Sequence, residues 1–307
     1  MIRAHRPAAA LVASSVLLAS AAARADERSF DDPYDVPTAP RPPTLPELTH
    51  SEVEATFEGT AGAILPNPGG DRTHGYVQRL AVEVPLRLRR LFVGAEYELA
   101  AAGGAGALRA VSGNVELNGR TLWATHTGLA FGGGLGLLLP TARYDTGGPA
   151  GQAALNAATL RPWDVGFFVP DALGARPFID VRAVDGPFVA QFRQGLDIIA
   201  SIGRAADRRI YATAGIYLGW WFTSRVAGGL EAFEAYVIDA PGVRDGARAT
   251  VVVSPNVRLA LPWVQPAISA FTNVGTPLQG ANAHVWGFRV ALTLVFDPNA
   301  ALGVRSR

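Results

Sequence analysis

The sequence predicts an all-β fold, a transmembrane antiparallel up-and-down β-barrel of about twelve strands (range 10–14). Three observations carry that expectation. From Trp286 to Phe296 every second residue is large and apolar, while Gly287, Arg289, Ala291 and Thr293 stand between them. A period of two marks a strand whose faces meet different surroundings. The same alternation recurs along most of the chain. The 307 residues are 49% hydrophobic, yet beyond the N-terminus no apolar run reaches the length a membrane helix needs. Apolar character spread over alternate residues fits a lipid-facing barrel.

Residues 1–25 read as an export signal. Arg3, His5 and Arg6 precede the apolar stretch Ala8 to Ala22, and Ala23-Arg24-Ala25 is a cleavage pattern. Its removal takes three Arg from a chain of net charge +1, leaving −2. Near-neutrality gives no case for a nucleic-acid partner. The absence of cysteine excludes a disulfide framework and thiolate chemistry. Residues 26–49 form a Pro-rich tail, expected on the periplasmic side, with Pro33, Pro37, Pro40, Pro42, Pro43 and Pro46. Residues 50–296 are the expected barrel and 297–307 a short C-terminal periplasmic tail.

Strands are expected at 51–64, 76–88, 91–100, 114–124, 129–140 and 177–184. They continue at 188–201, 210–221, 225–238, 249–261, 263–273 and 283–296. Asn118-Gly119 is a hairpin signal, but a turn at 125–128 leaves strands of ordinary length on both sides. The run Gly132, Gly134, Gly136 has no strand-to-helix context and lacks dinucleotide spacing, so it is no phosphate loop. Glycine there fits a close approach by another segment. Two residues break the oily faces. Gln194 stands among Phe192, Leu196 and Ile198. Glu231 and Glu234 have opposite parity, so one of them faces lipid unless a bulge resets the register.

Connections alternate between short and long, as in barrels with short periplasmic turns and long external loops. The longest, 141–176, contains a helical stretch from Gly151 to Leu160. Loops of this length are commonly functional or disordered, and as a functional loop this one could fold inward and constrict the lumen. Phe92, Trp123, Phe188, Trp221, Trp263 and Phe296 then fall at periplasmic strand ends. Tyr76, Tyr97, Tyr211, Tyr236 and Trp286 fall near external ones. Trp123, Trp221, Trp263, Trp286 and Phe296 are the membrane-interface candidates.

On these residues the chain resembles bacterial outer-membrane β-barrel proteins. Its last strand is similar to their assembly signal, alternating hydrophobics ending in Phe296, although this chain continues to Arg307. The runs Gly113-Asn114-Val115-Glu116-Leu117 and Gly134-Leu135-Gly136-Leu137-Leu138-Leu139-Pro140-Thr141 are similar to little-studied transporter-like barrels, some linked with aromatic-compound degradation. The resemblance implies a place in the cell outer membrane and passage of small molecules. It implies outer-membrane lipids and the barrel-assembly machinery as partners, with a small-molecule solute possible. It fixes no substrate.

The pore-lining candidates are the polar faces of the strands. Arg79, Glu83 and Arg87 come from the second strand, and Glu96 and Glu98 from the third. Glu116 and Arg120 lie on the fourth, Asp180 and Arg182 on the sixth, Arg193 and Asp197 on the seventh. Arg258 and Arg289 complete the set, with Glu54 and Glu58 on the first strand sharing the same face. Seven Arg against eight acids argues against strong charge selectivity. Paired charges also fill and stiffen a narrow barrel.

No cofactor, metal site or enzymatic site is expected. His5, His50, His74, His126 and His284 have no partners in metal spacing. None has a neighbouring Ser for the nucleophile–base pair of a lipid-modifying enzyme, and His126-Thr127 is the nearest approach. The expected function is a narrow channel or transporter for small molecules. The alternative is a non-conducting structural or adhesion barrel with a charge-plugged lumen.

Overall fold

The computed structural model describes residues 53–66, 72–86, 91–104, 107–125, 128–202, 208–223, 225–243, 248–261, 263–275 and 283–296. The expected export signal, both tails, Arg87 and His126 lie outside them. Twelve strands are present: β1 Val53–Pro66, β2 Thr73–Pro85, β3 Leu91–Gly104, β4 Ala107–Ala124, β5 Leu129–Leu139 and β6 Ala172–Asp185. They continue as β7 Phe188–Ser201, β8 Arg208–Trp221, β9 Val226–Asp239, β10 Ala249–Leu259, β11 Val264–Val274 and β12 Ala283–Phe296. Helix α1, Pro149–Leu160, and a 3₁₀ turn, Val165–Phe168, interrupt the series between β5 and β6.

Each strand pairs antiparallel with its chain neighbours, and β12 returns to β1, closing the barrel. The seam runs without a slip from Val53 opposite Phe296, through Phe57 opposite Leu292, to Pro66 opposite Ala283. Closure leaves no free edge, the condition lipid imposes on a spanning sheet. The shortest strands have 11 residues, enough to cross a bilayer when tilted. At the turn before β5, Gly128 has φ +74, and a Cβ there would meet the Val184 carbonyl oxygen at 2.4 Å. Only glycine fits.

The alternation sorts as expected. Phe57, Leu80, Leu117, Leu137, Ile179 and Val290 point outward and are exposed, while Glu58, Glu116, Arg120, Asp180 and Arg289 point inward and are buried. The Asn118-Gly119 signal does not turn the chain; β4 runs through it, paired to β3 and β5. Along β9 the register with β10 is continuous from Tyr236 opposite Ala249 to Val226 opposite Leu259. No bulge separates the two glutamates. Glu231 is buried inside, and Glu234 stands half-buried on the outer face.

Three of the expected rim aromatics lie at or near strand ends but face inward. Phe92 is buried beneath Arg120, whose guanidinium carbon lies 4.0 Å from the ring centroid. Tyr211 is buried in the interior. Trp221 has inward parity, and its neighbour Trp220 takes the outward place with 48% exposure. In each case strand parity overrides position along the strand. Trp123, Trp263, Trp286 and Phe296 are exposed on the outer wall.

The glycines of β5 make room for side chains of neighbouring strands rather than for another segment. A Cβ at Gly136 would meet Glu116 Oε1 at 2.5 Å, and one at Gly134 would meet the Phe178 ring at 2.6 Å.

Candidate functional site: the barrel interior

Residues 140–171 fold into the barrel from the end that carries the long connections. Pro149 opens α1, and alanines at 150, 153, 154, 157 and 158 favour the helix. Pro162 stops it by excluding the helical conformation at Arg161. The buried residues of α1 include Ala153, Ala154, Asn156, Ala157 and Leu160. They pack against the inner walls of β1 to β4 and β12. Gly62 and Gly75 admit the helix: a Cβ on either would sit 2.6 or 2.5 Å from the methyls of Leu160.

A β-bulge helps to hold the segment. The β3–β4 register shifts between Tyr97 and Leu99, so Gly113 and Asn114 are both buried on the inner side. The Asn114 side-chain amide donates to the carbonyls of Gly166 at 3.0 Å and Val169 at 2.7 Å, and its Oδ1 accepts from the Ala142 amide at 2.9 Å. One side chain thus clamps the incoming and outgoing arms of the segment. Tyr144 donates to the Phe168 carbonyl, and burial pushes its hydroxyl up to about 12, so it keeps that proton. Asn114→Ala removes three hydrogen bonds at a buried site and should weaken docking of the segment by about 2–3 kcal/mol. Limited proteolysis within 140–171 should accelerate, while the strands stay protected.

Arg161 is the main ionic anchor. It is 2% exposed. Its guanidinium donates to Glu58, to Thr60 Oγ1 at 2.8 Å and to Asp164 Oδ2 at 2.9 Å, and its Nη2 lies 3.1 Å from Glu98 Oε1. Trp163 is held edge-on to Phe233 and Phe271, with ring centroids 5.7 and 6.1 Å away. The guanidiniums of Arg161 and Arg289 lie 5.5 and 5.0 Å from its ring. Cation–π contacts of this kind strengthen when desolvated.

Below this plug, towards the short turns, a cavity of about 180 Å³ remains, roofed by Arg161, Trp163 and Asp164. Its walls carry eight of the sequence-named candidates: Arg79, Glu83, Glu96, Glu116, Arg120, Arg193, Asp197 and Arg258. Most of their guanidiniums form close ion pairs. Arg120 donates to Glu83 at 2.7 and 3.0 Å, and Arg193 to Asp180 at 2.7 Å through both nitrogens. Arg79 binds Glu96 in the same two-pronged way, and Arg258 donates to Gln265. Bidentate pairing fixes these side chains.

The other candidates lie off the cavity. Asp180 and Arg182 are buried, and Glu98 lies beneath the plug against Arg161. Arg289 is buried behind Trp163, donating to Glu231 at 2.8 Å, Ser254 at 2.9 Å and Ser269 at 3.0 Å.

Sequence reasoning missed Arg161, Trp163, Asp164 and Arg176. Arg176 joins Asp197 at 3.0 Å, Glu116 at 2.6 Å and the Trp163 carbonyl at 2.9 Å, so it ties the wall to the plug. A signal for it existed: Gly174, Arg176 and Phe178 share the parity of Asp180 and Arg182. Pro170 and Pro177 hid the early start of β6 at Ala172. Among the described residues Glu96, Glu98 and Asp164 bring carboxylates together. Arg79 and Arg161 already answer that charge.

No protein-family model and no curated protein matches the chain. Among solved structures it is similar to an outer membrane channel from Pseudomonas putida F1, at 11% identity and a TM-score of 0.60, over 86% of this chain and 99% of that one. The chain has the fold of an outer-membrane β-barrel. Two further barrels are less alike. The beta domain of the Bordetella autotransporter BrkA gives 13% identity and a TM-score of 0.48, over 80% of this chain and 100% of its own. A KdgM porin solved with disordered oligogalacturonate gives 9% identity and 0.48, over 79% and 99%. Within this outer-membrane barrel fold, the inward plug and the paired-charge cavity are the features that bear on function.

Proposed function

We propose that this chain is an outer-membrane channel for small solutes, kept narrow or closed by the segment 140–171. The observation that carries the reading is a polar cavity of about 180 Å³ inside a closed barrel, separated from the long-loop end by a segment that belongs to no strand. The exposed apolar outer wall supports residence in the membrane, with outer-membrane lipids as its surroundings. The solved channel with the same fold was itself described as an outer membrane channel. β12, ending at Phe296, suits a client of the barrel-assembly machinery. The eight cavity candidates act as the lining a solute meets.

Balanced, paired charge in the cavity supports passage without strong charge selectivity. Purified protein in planar bilayers should show discrete conductance steps. Under a potassium chloride gradient its reversal potential should lie near zero. Bilayers silent at every voltage, with the protein inserted, would overturn the reading in favour of a structural barrel. A strongly shifted reversal potential would overturn the charge argument alone.

A further inference from the structure

Two polar residues on the oily outer face, Gln194 and Glu234, come together in the fold. Gln194 on β7 lies opposite Ala214 on β8, and Ala214 lies opposite Glu234 on β9. They form one row across three strands, with a methyl group between two long polar side chains. Two strand spacings separate their backbones by about 10 Å. Gln194 is exposed and Glu234 half-buried. Among the described residues neither has a hydrogen-bond or ion-pair partner.

The surroundings are apolar above and below. Ile179 pairs with Gln194 on one side and Val251 with Glu234 on the other. Leu196, Ile198, Leu218 and Leu230 are exposed nearby on the same wall. Hydrocarbon offers an amide and a carboxyl no hydrogen bonds. Neighbouring outward positions Ala212 and Ala232 carry only methyls, while Phe192, Leu196 and Tyr236 flank the row along the strands.

We infer that this row is the centre of a twofold contact with a second copy of the same chain. A self-complementary interface repeats each contact in reverse. With the axis near Ala214, Gln194 of one copy meets the partner's Glu234, and Glu234 meets the partner's Gln194. The amide N–H groups donate and the carboxyl oxygens accept, so both pairs are satisfied at once. Side chains on both partners reach across the gap, and the central alanine lets the walls approach. The occupant is a second barrel because the row supplies a donor and an acceptor in the arrangement that a copy of itself completes. The inference rests on the outer wall facing lipid, as proposed above, and is independent of conduction.

The chain has no cysteine, so crosslinking is unambiguous. Ala214→Cys in proteoliposomes should give an oxidised dimer. Leu137→Cys, exposed on β5 away from the row, should give none. Adding Gln194→Leu and Glu234→Leu to Ala214→Cys should abolish the crosslink while the barrel still folds. Native mass spectrometry of the unmodified chain should give a mass of twice the monomer. A monomeric mass overturns the inference. So does crosslinking at 214 no greater than at 137, or crosslinking that survives loss of both polar groups. Conductance enters none of these readings, so a silent but dimeric protein would sink the channel proposal and leave the interface standing.

Discussion

Replacing residues 147–160 by a flexible Gly/Ser linker of equal length should raise single-channel conductance several-fold over the intact chain. α1 spans 12 residues, about 18 Å of rod at the helical rise, and it lies against the inner walls of β1 to β4. Its fit depends on Leu160 seated over Gly62 and Gly75. A Gly/Ser linker has no apolar face to bury and no methyl to fill those places, so it leaves the interior to water. The strands do not depend on α1 for their hydrogen bonds, because the ladder around the barrel is complete without it. Folded barrel with unchanged conductance would show that α1 does not limit flow.

Arg161→Met should open the same path without removing any chain. The substitution keeps the length of the side chain and deletes its charge. Glu58 and Glu98, both buried, then face one another's field with Arg161 gone. Removing one partner of a buried ion pair costs about 3–5 kcal/mol. The barrel has a way to relieve that cost: the plug leaves, water enters, and the carboxylates are solvated. The loss therefore appears as a shift of roughly two to three and a half decades between docked and undocked segment, at 1.4 kcal/mol per decade. Hydrogen exchange in 149–168 should rise by that order, while β1 to β12 remain protected. Adding Glu58→Gln and Glu98→Gln should restore much of the docking, because two of the three buried carboxylates that Arg161 answers no longer carry charge. If the triple variant stays as open as Arg161→Met, the anchor acts through direct bonding and not through charge compensation.

The strand pattern was legible because a barrel wall imposes one rule on every residue. Outward means lipid and inward means a polar lumen, so period two is written along the chain and needs no partner to be read. The twelve strands and the closure of β12 on β1 near Glu54 and Phe57 both follow from it. Phe92, Tyr211 and Trp221 lie at or near strand ends, where position alone suggests the rim, but parity turns them inward. Asn114 stands in the run Gly113 to Leu117, yet its role comes from a bulge, and a bulge appears only when a strand meets its partner.

The sequence by itself determined the wall: the class of fold, the number of strands and which residues share the inner face. The tertiary structure decided the contents. Arg161, Trp163 and Asp164 lie in a segment with no alternation, and their place is fixed by distant groups: Glu58 on β1, Glu98 on β3, Phe233 on β9 and Phe271 on β11. Likewise Gln194 and Glu234 read as two unrelated exceptions 40 positions apart, and only strand register sets them in one row. Alternation is a property of a single strand meeting its two solvents. What fills the lumen, and what stands beside what on the wall, depends on contacts between segments far apart in the chain, which no local pattern encodes.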